Sequence, residues 1–234
     1  MSQIVRRMTA ETLGTFGWVF IGASVVVAQK FPGAGYGLLG VAVAHAMVVC
    51  VMVTATMNIS GGHLNPAVTL GVLVSRRISA RDAGFYVVAQ LVGAVLAGLM
   101  LKLILPANVA RVVLYGTPVI ANSVTMGSAI AVEAILTFFL VSAVFGTVVS
   151  SEAPKVGGFA VGLVLLFAML VGAPFTGAAL NPARALGPAV VSSAWVGHAA
   201  YWVGPLLGGL VAGLLWGGVL LPKRLAGGSD AQRA

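Results

Sequence analysis

Charge is what this chain lacks most. Lys, Arg, Asp and Glu make up 8% of its 234 residues against 59% hydrophobic, and the mean hydropathy is +1.06. Soluble domains carry about 25% charged residues, so a solvated surface all round is excluded and an all-α integral membrane protein is expected. Carboxylates are scarcer still, five in all, and no Ser/His or His/Glu constellation recurs at helical spacing. That excludes an ordinary nucleophile or metal centre, so the chain is read as a non-enzyme with no metal and no cofactor. The one cysteine, Cys50, excludes an internal disulfide.

Long apolar runs are abundant. A bilayer core of ~30 Å takes about 20 helical residues, and six stretches qualify: Met8–Ala28, Leu38–Met57, Phe85–Leu105, Val124–Val149, Val156–Ala173 and Ala199–Leu221. The first carries Glu11 and no small-residue cleavage pattern follows it, so a retained helix is expected and no signal peptide. The net charge of +8 does not point to nucleic acid, because the basic residues lie in the connections between spans. With the N-terminus inside, Arg6, Arg7, Arg76, Arg77, Arg81, Lys155, Lys223, Arg224 and Arg233 fall on the cytoplasmic side and Lys30, Lys102 and Arg111 outside. Nine against three predicts both termini in the cytoplasm of a cell (plasma or inner) membrane.

The sequence also repeats itself. Glu11 with Thr15 and Phe16 recurs as Glu133 with Thr137 and Phe138; Asn65-Pro66-Ala67 recurs as Asn181-Pro182-Ala183; Tyr86, Gly93 and Gly98 recur at the same spacing as Tyr201, Gly208 and Gly213. Each half holds three spans, an odd number, so the second half enters the membrane upside down. A single channel domain over 1–234 is expected, with inverted repeats at about 8–105 and 124–221 and a site at the midplane between them.

Asn is a strong helix N-cap and Pro suits the first helical position. Asn65 therefore starts a helix that ends near Val74, before Arg76 and Arg77, at about half the hydrocarbon thickness. A second half-helix begins at Asn181 and ends near Ser192, so two half-helices can meet N-terminus to N-terminus. Each Asn oxygen is expected to accept from its own first turn, leaving the side-chain NH2 free to donate into a pore. A water held by both donors points its hydrogens away and cannot relay a proton, and the two helix N-termini repel cations. Neutral polar molecules are the solutes this suits.

"SGGHLNPAVTLG" and "LNPARALGPAVV" resemble the two signature loops of the major intrinsic protein family, the aquaporins, and the likeness runs from about Arg7 to Leu221. The N-terminal "RRMTAETLGTFGWVF" and the short "AQKFPGAGYG" resemble prokaryotic water channels. The resemblance implies six helices and two half-helices in a homotetramer, with one pore per protomer. It also implies a selectivity filter of four positions, which fall here on His45, Met169, Ala178 and Arg184. Strict water channels of the family typically carry Phe, His, a small polar residue or Cys, and Arg. The set here is closer to the plant tonoplast intrinsic proteins, which pass water and also ammonia, urea or hydrogen peroxide. Glycerol channels usually place Asp directly after the arginine, whereas Ala185 follows Arg184.

Arg184 and His45 each have a plainer reading, the one snorkelling to the outer interface and the other a satisfied interior histidine. Glu11 and Glu133, at equivalent places, are expected to accept from backbone N–H groups of the loops before each half-helix; a proton relay is the competing reading. His63 is expected to shape the first loop and His198 to sit in the last outer connection. A glycerol-type facilitator and a secondary transporter of a small solute are the alternatives, though a coupled carrier needs an ion site.

Overall fold

A computed structural model of the chain describes residues 2–154 and 156–222. Lys155, Lys223, Arg224 and Arg233, four of the basic residues counted as cytoplasmic, lie outside the described residues. Among the described residues, six helices are long and apolar enough to cross a membrane: α1 (Gln3–Ala28), α2 (Gly37–Ser60), α4 (Ala80–Ile104), α6 (Met126–Val144, continued as a π turn to Val149), α7 (Phe159–Thr176) and α9 (Ala200–Leu215, continued as a π turn to Leu220). Two short helices, α3 (Pro66–Val74) and α8 (Pro182–Ser192), follow the Asn-Pro pairs, and α5 (Ala107–Ala110) lies in the connection between α4 and α6. Apolar side chains stand exposed on the outward faces, as on α2, where Leu39, Val43, Met47 and Val51 recur every fourth residue.

Helix ends differ from the apolar runs where capping extends them. Helix α4 starts at Ala80 because the Ser79 hydroxyl accepts from the Asp82 N–H at 3.1 Å, and Asp82 suits the positive first turn. Helix α1 starts at Gln3, carrying Arg6 and Arg7 on its first two turns. Hydropathy marks the hydrocarbon, while hydrogen bonding marks the helix. Helices α2 and α7 stop alike, at Gly61 (φ 89°) and Gly177 (φ 78°), in the left-handed conformation that glycine adopts without steric cost.

The inverted halves exchange their half-helices. Helix α8 packs on α4 and α3 packs on α9, and glycine makes both approaches possible. A Cβ on Gly98 would strike the carbonyl of Gly187 in α8, and one on Gly213 the carbonyl of Gly71 in α3. One turn and a half earlier, Gly93 faces the Thr12 carbonyl and Gly208 the Ala134 carbonyl. Without a hydrophobic drive between helices in lipid, such backbone-to-backbone packing is what holds a bundle together. The repeated Tyr-Gly-Gly spacing is therefore a packing code.

Candidate functional site: two capped half-helices and a buried arginine

The segments leading into α3 and α8 are irregular backbone inside the membrane, and each is wired to one glutamate. Glu11 Oε1 accepts from Ser60 Oγ (2.6 Å) and the His63 N–H (3.0 Å), and Oε2 from the Leu64 N–H (2.6 Å) and Gln90 Nε2 (2.7 Å). Glu133 mirrors it, accepting from Thr176 Oγ1 (2.6 Å) and the N–H groups of Ala179 (3.0 Å) and Leu180 (2.7 Å). The hydroxyls of Tyr86 and Tyr201 donate to the carbonyls of Ser60 and Thr176, both at 2.8 Å. These bonds sustain Leu64 (φ 52°) and Leu180 (φ 53°) in the left-handed region, which costs a side-chain-bearing residue roughly 1–2 kcal/mol.

Both asparagines cap their helices. Asn65 Oδ1 accepts from the Ala67 N–H (2.8 Å), and Asn181 Oδ1 from those of Ala183 (2.9 Å) and Arg184 (3.3 Å), with Pro66 and Pro182 at the first helical positions. The amide groups are less free than sequence reasoning expects. Asn65 Nδ2 donates to the Leu180 carbonyl at 2.9 Å, and Asn181 Nδ2 to the Leu64 carbonyl at 3.0 Å. One of the two hydrogens on each amide thus ties the opposite loop, and one remains. The left-handed Leu64 and Leu180 carry the accepting carbonyls, so the same strained residues join the two half-helices at their N-termini.

Outward from this junction lie the four candidate filter residues. Arg184 is 2% exposed, which removes the snorkelling alternative. Its Nη1 donates to the Gly116 carbonyl at 3.0 Å and its Nη2 lies 3.4 Å from His45 Nε2. Gly116 closes the 3-10 turn Arg111–Gly116 that follows α5, where Leu114 (φ 49°) and Tyr115 (φ 54°) are also left-handed. His45 Nδ1 meets the Val41 carbonyl at 2.9 Å; a carbonyl only accepts, so Nδ1 bears the hydrogen and Nε2 offers its lone pair to the guanidinium. Arg184 and Met169 line one cavity of about 410 Å³, together with Val41, Gly116 and Thr117. Neither His45 nor Ala178 is among its lining residues: both are buried, His45 behind Arg184 and Ala178 in the loop, its N–H bonded to Thr176 Oγ1 at 3.1 Å.

On the other side of the junction the halves differ. His63 Nδ1 is 3.1 Å from Thr69 Oγ1, to which Gln90 Nε2 also donates at 2.9 Å. Gln90 thereby links Glu11 to α3, and sequence reasoning passes over it because its counterpart in the second half is not polar. Gly116 is missed too, since nothing local marks a loop carbonyl as the partner of an arginine 68 residues away. Gly22, against the His45 ring, carries no sequence signal at all.

Known proteins place this arrangement. The chain matches the family model for the major intrinsic protein over residues 1–216. It is 44% identical to aquaporin TIP4-4 of Zea mays over 94% of this chain and 88% of that one, and 38% identical to aquaporin-5 of Sus scrofa over 95% and 83%. The X-ray structure of the aquaglyceroporin from Plasmodium falciparum superposes with a TM-score of 0.80 at 24% identity, covering 93% of this chain and 97% of that one, and so shares the fold. A match of this length, together with relatives so similar over nearly the whole chain, shows that it belongs to the major intrinsic protein family, a family of membrane channels and not of enzymes.

Proposed function

We propose that this chain is a passive channel for water that also passes small neutral solutes such as ammonia, urea or hydrogen peroxide and excludes protons and ions. The observation that carries the reading is the junction of α3 and α8, where Asn65 and Asn181 each keep one amide hydrogen after capping and cross-bonding. Two fixed donors at the positive ends of two helices orient a passing water by its oxygen and repel cations. The Asn-Pro-Ala triplets (65–67 and 181–183) form the mid-membrane station, and His45, Met169, Ala178 and Arg184 form the outer filter. Glu11, Glu133 and His63 support the loops. With the Glu11 and Glu133 carboxylates engaged by the N–H groups and hydroxyls of the loops they hold, neither is free to serve as the ion site that a coupled carrier needs. The protein works as a homotetramer spanning a cell (plasma or inner) membrane as one channel domain, with both termini cytoplasmic.

Osmotic response of proteoliposomes tests this. Vesicles holding the purified chain should change volume faster than protein-free vesicles, and an equal rate would end the water assignment. In ammonia, the internal pH should rise faster than with a strict water channel matched for water flux; an equal rise confines the chain to water. Glycerol flux keeping pace with water would favour the glycerol-type facilitator.

A further inference from the structure

We infer that Gly22 on α1, outside the four filter positions, determines specificity by holding the His45 ring back from the conducting path. The inference deepens the reading above and rests on it, because it takes His45 and Arg184 to line that path.

The His45 ring is held from three sides. Its Nδ1 is tied to the Val41 carbonyl one turn earlier in its own helix, at 2.9 Å. Its Nε2 faces Arg184 Nη2 at 3.4 Å. The third side is α1, and there a Cβ built on Gly22 would come to 2.8 Å from Nε2, 3.0 Å from Cδ2 and 3.6 Å from Cε1; these ring atoms are its three nearest neighbours. Residue 22 therefore answers to the ring before anything else, and only hydrogen fits.

Two other glycines of α1 make the contrast. Gly14 faces the end of the Leu64 side chain, and a Cβ on Gly17 would come 2.8 Å from Met52 Sδ. Those are flexible side chains that can turn aside, whereas the His45 ring is planar and fixed at Nδ1. Glycine inside a helix costs about 1 kcal/mol relative to alanine, so helix formation alone favours a larger residue at 22.

A methyl group at 22 must move the ring by roughly half an ångström or more to restore ordinary contact. The bond to Val41 keeps the ring from swinging outward along α2, so its Nε2 edge moves away from α1 and toward Arg184. The guanidinium is itself held by the Gly116 carbonyl at 3.0 Å, and it either takes the pressure or leaves that carbonyl. Both outcomes narrow a route whose selectivity turns on fractions of an ångström. Gly22 thus sets how wide the passage beside His45 is, and with it the admission of neutral solutes broader than water.

Proteoliposomes of the unaltered chain, Gly22→Ala, His45→Ala and the double variant, at matched protein content, test this with water and urea as probes. Gly22→Ala should lower water flux about threefold or more and the urea-to-water ratio further, since the broader solute feels a narrowed bore first. His45→Ala should raise the urea-to-water ratio, and the double variant should behave like His45→Ala. Gly22→Ala matching the unaltered chain, or a double variant as slow as Gly22→Ala, overturns the inference. A His45→Ala ratio equal to that of the unaltered chain instead overturns the filter reading beneath it. Should Gly22→Ala fail to fold, recovery of folded protein in the double variant supports the ring contact, and failure of both refutes it.

Discussion

A buried carboxylate in a membrane protein is costly unless its lone pairs are used, and Glu11 has four donors on its two oxygens. Glu11→Gln should therefore be worse than its shape suggests. Whichever way the amide turns, its NH2 faces two donors, Ser60 Oγ and the His63 N–H or the Leu64 N–H and Gln90 Nε2. Loss of about 2–4 kcal/mol is expected, visible as a lower unfolding midpoint in detergent. A midpoint within a degree or so of the unaltered chain would mean that Glu11 does not hold the loop. The same residue shows where sequence reasoning reaches its limit. The repeat places Glu11 and Glu133 at equivalent positions and predicts backbone donors, but Gln90 joins only Glu11 because the pairing depends on what stands across the bundle.

At the scale of elements, the half-helices are located by glycines that belong to other helices. Gly98→Ala and Gly213→Ala would each drive a Cβ into a backbone carbonyl, of Gly187 and Gly71 respectively, and backbone cannot turn aside. Each should cost about 2–4 kcal/mol and wedge its half-helix away from the junction, seen as falling water flux together with stability. Gly84→Ala in α4 and Gly127→Ala in α6 are the controls: nothing lies within 4 Å of either Cβ, so stability should hold or rise by up to about 1 kcal/mol. Equal losses in both pairs would refute close packing as the cause. The connection between α4 and α6 works in the same way, since α5 and the turn after it serve to bring one carbonyl, that of Gly116, to Arg184.

The whole molecule is a membrane bundle with few groups that titrate near neutrality outside the bilayer. His198, in the connection between α8 and α9, stands edge-on to Trp195 and Tyr201 with neither ring nitrogen hydrogen-bonded. Burial pushes its pKa below the ordinary 6.5. The unfolded chain then binds a proton there more readily than the folded one, so this contribution is intact above about pH 6.5 and fades as pH falls below it. The unfolding midpoint should drop between pH 7.5 and 5, and His198→Phe should shrink that drop. A variant with the same pH profile would show that His198 titrates alike in the folded and unfolded states.

By itself the sequence determined the membrane class, the six spans, the inversion of the halves and the start of both half-helices, because these follow from hydropathy and from the local chemistry of Asn-Pro. The ends expected for α3 near Val74 and for α8 near Ser192 are also those observed. What tertiary structure alone decided is which groups meet across the bundle: Asn65 with the Leu180 carbonyl, Arg184 with Gly116 and His45, Gln90 with Glu11, and the bare face of Gly22 with a histidine ring. Those contacts join residues far apart in the chain, and their geometry depends on helix rotation and depth. No local pattern of side chains encodes either quantity, so the caps were legible in the sequence while the bore of the channel was not.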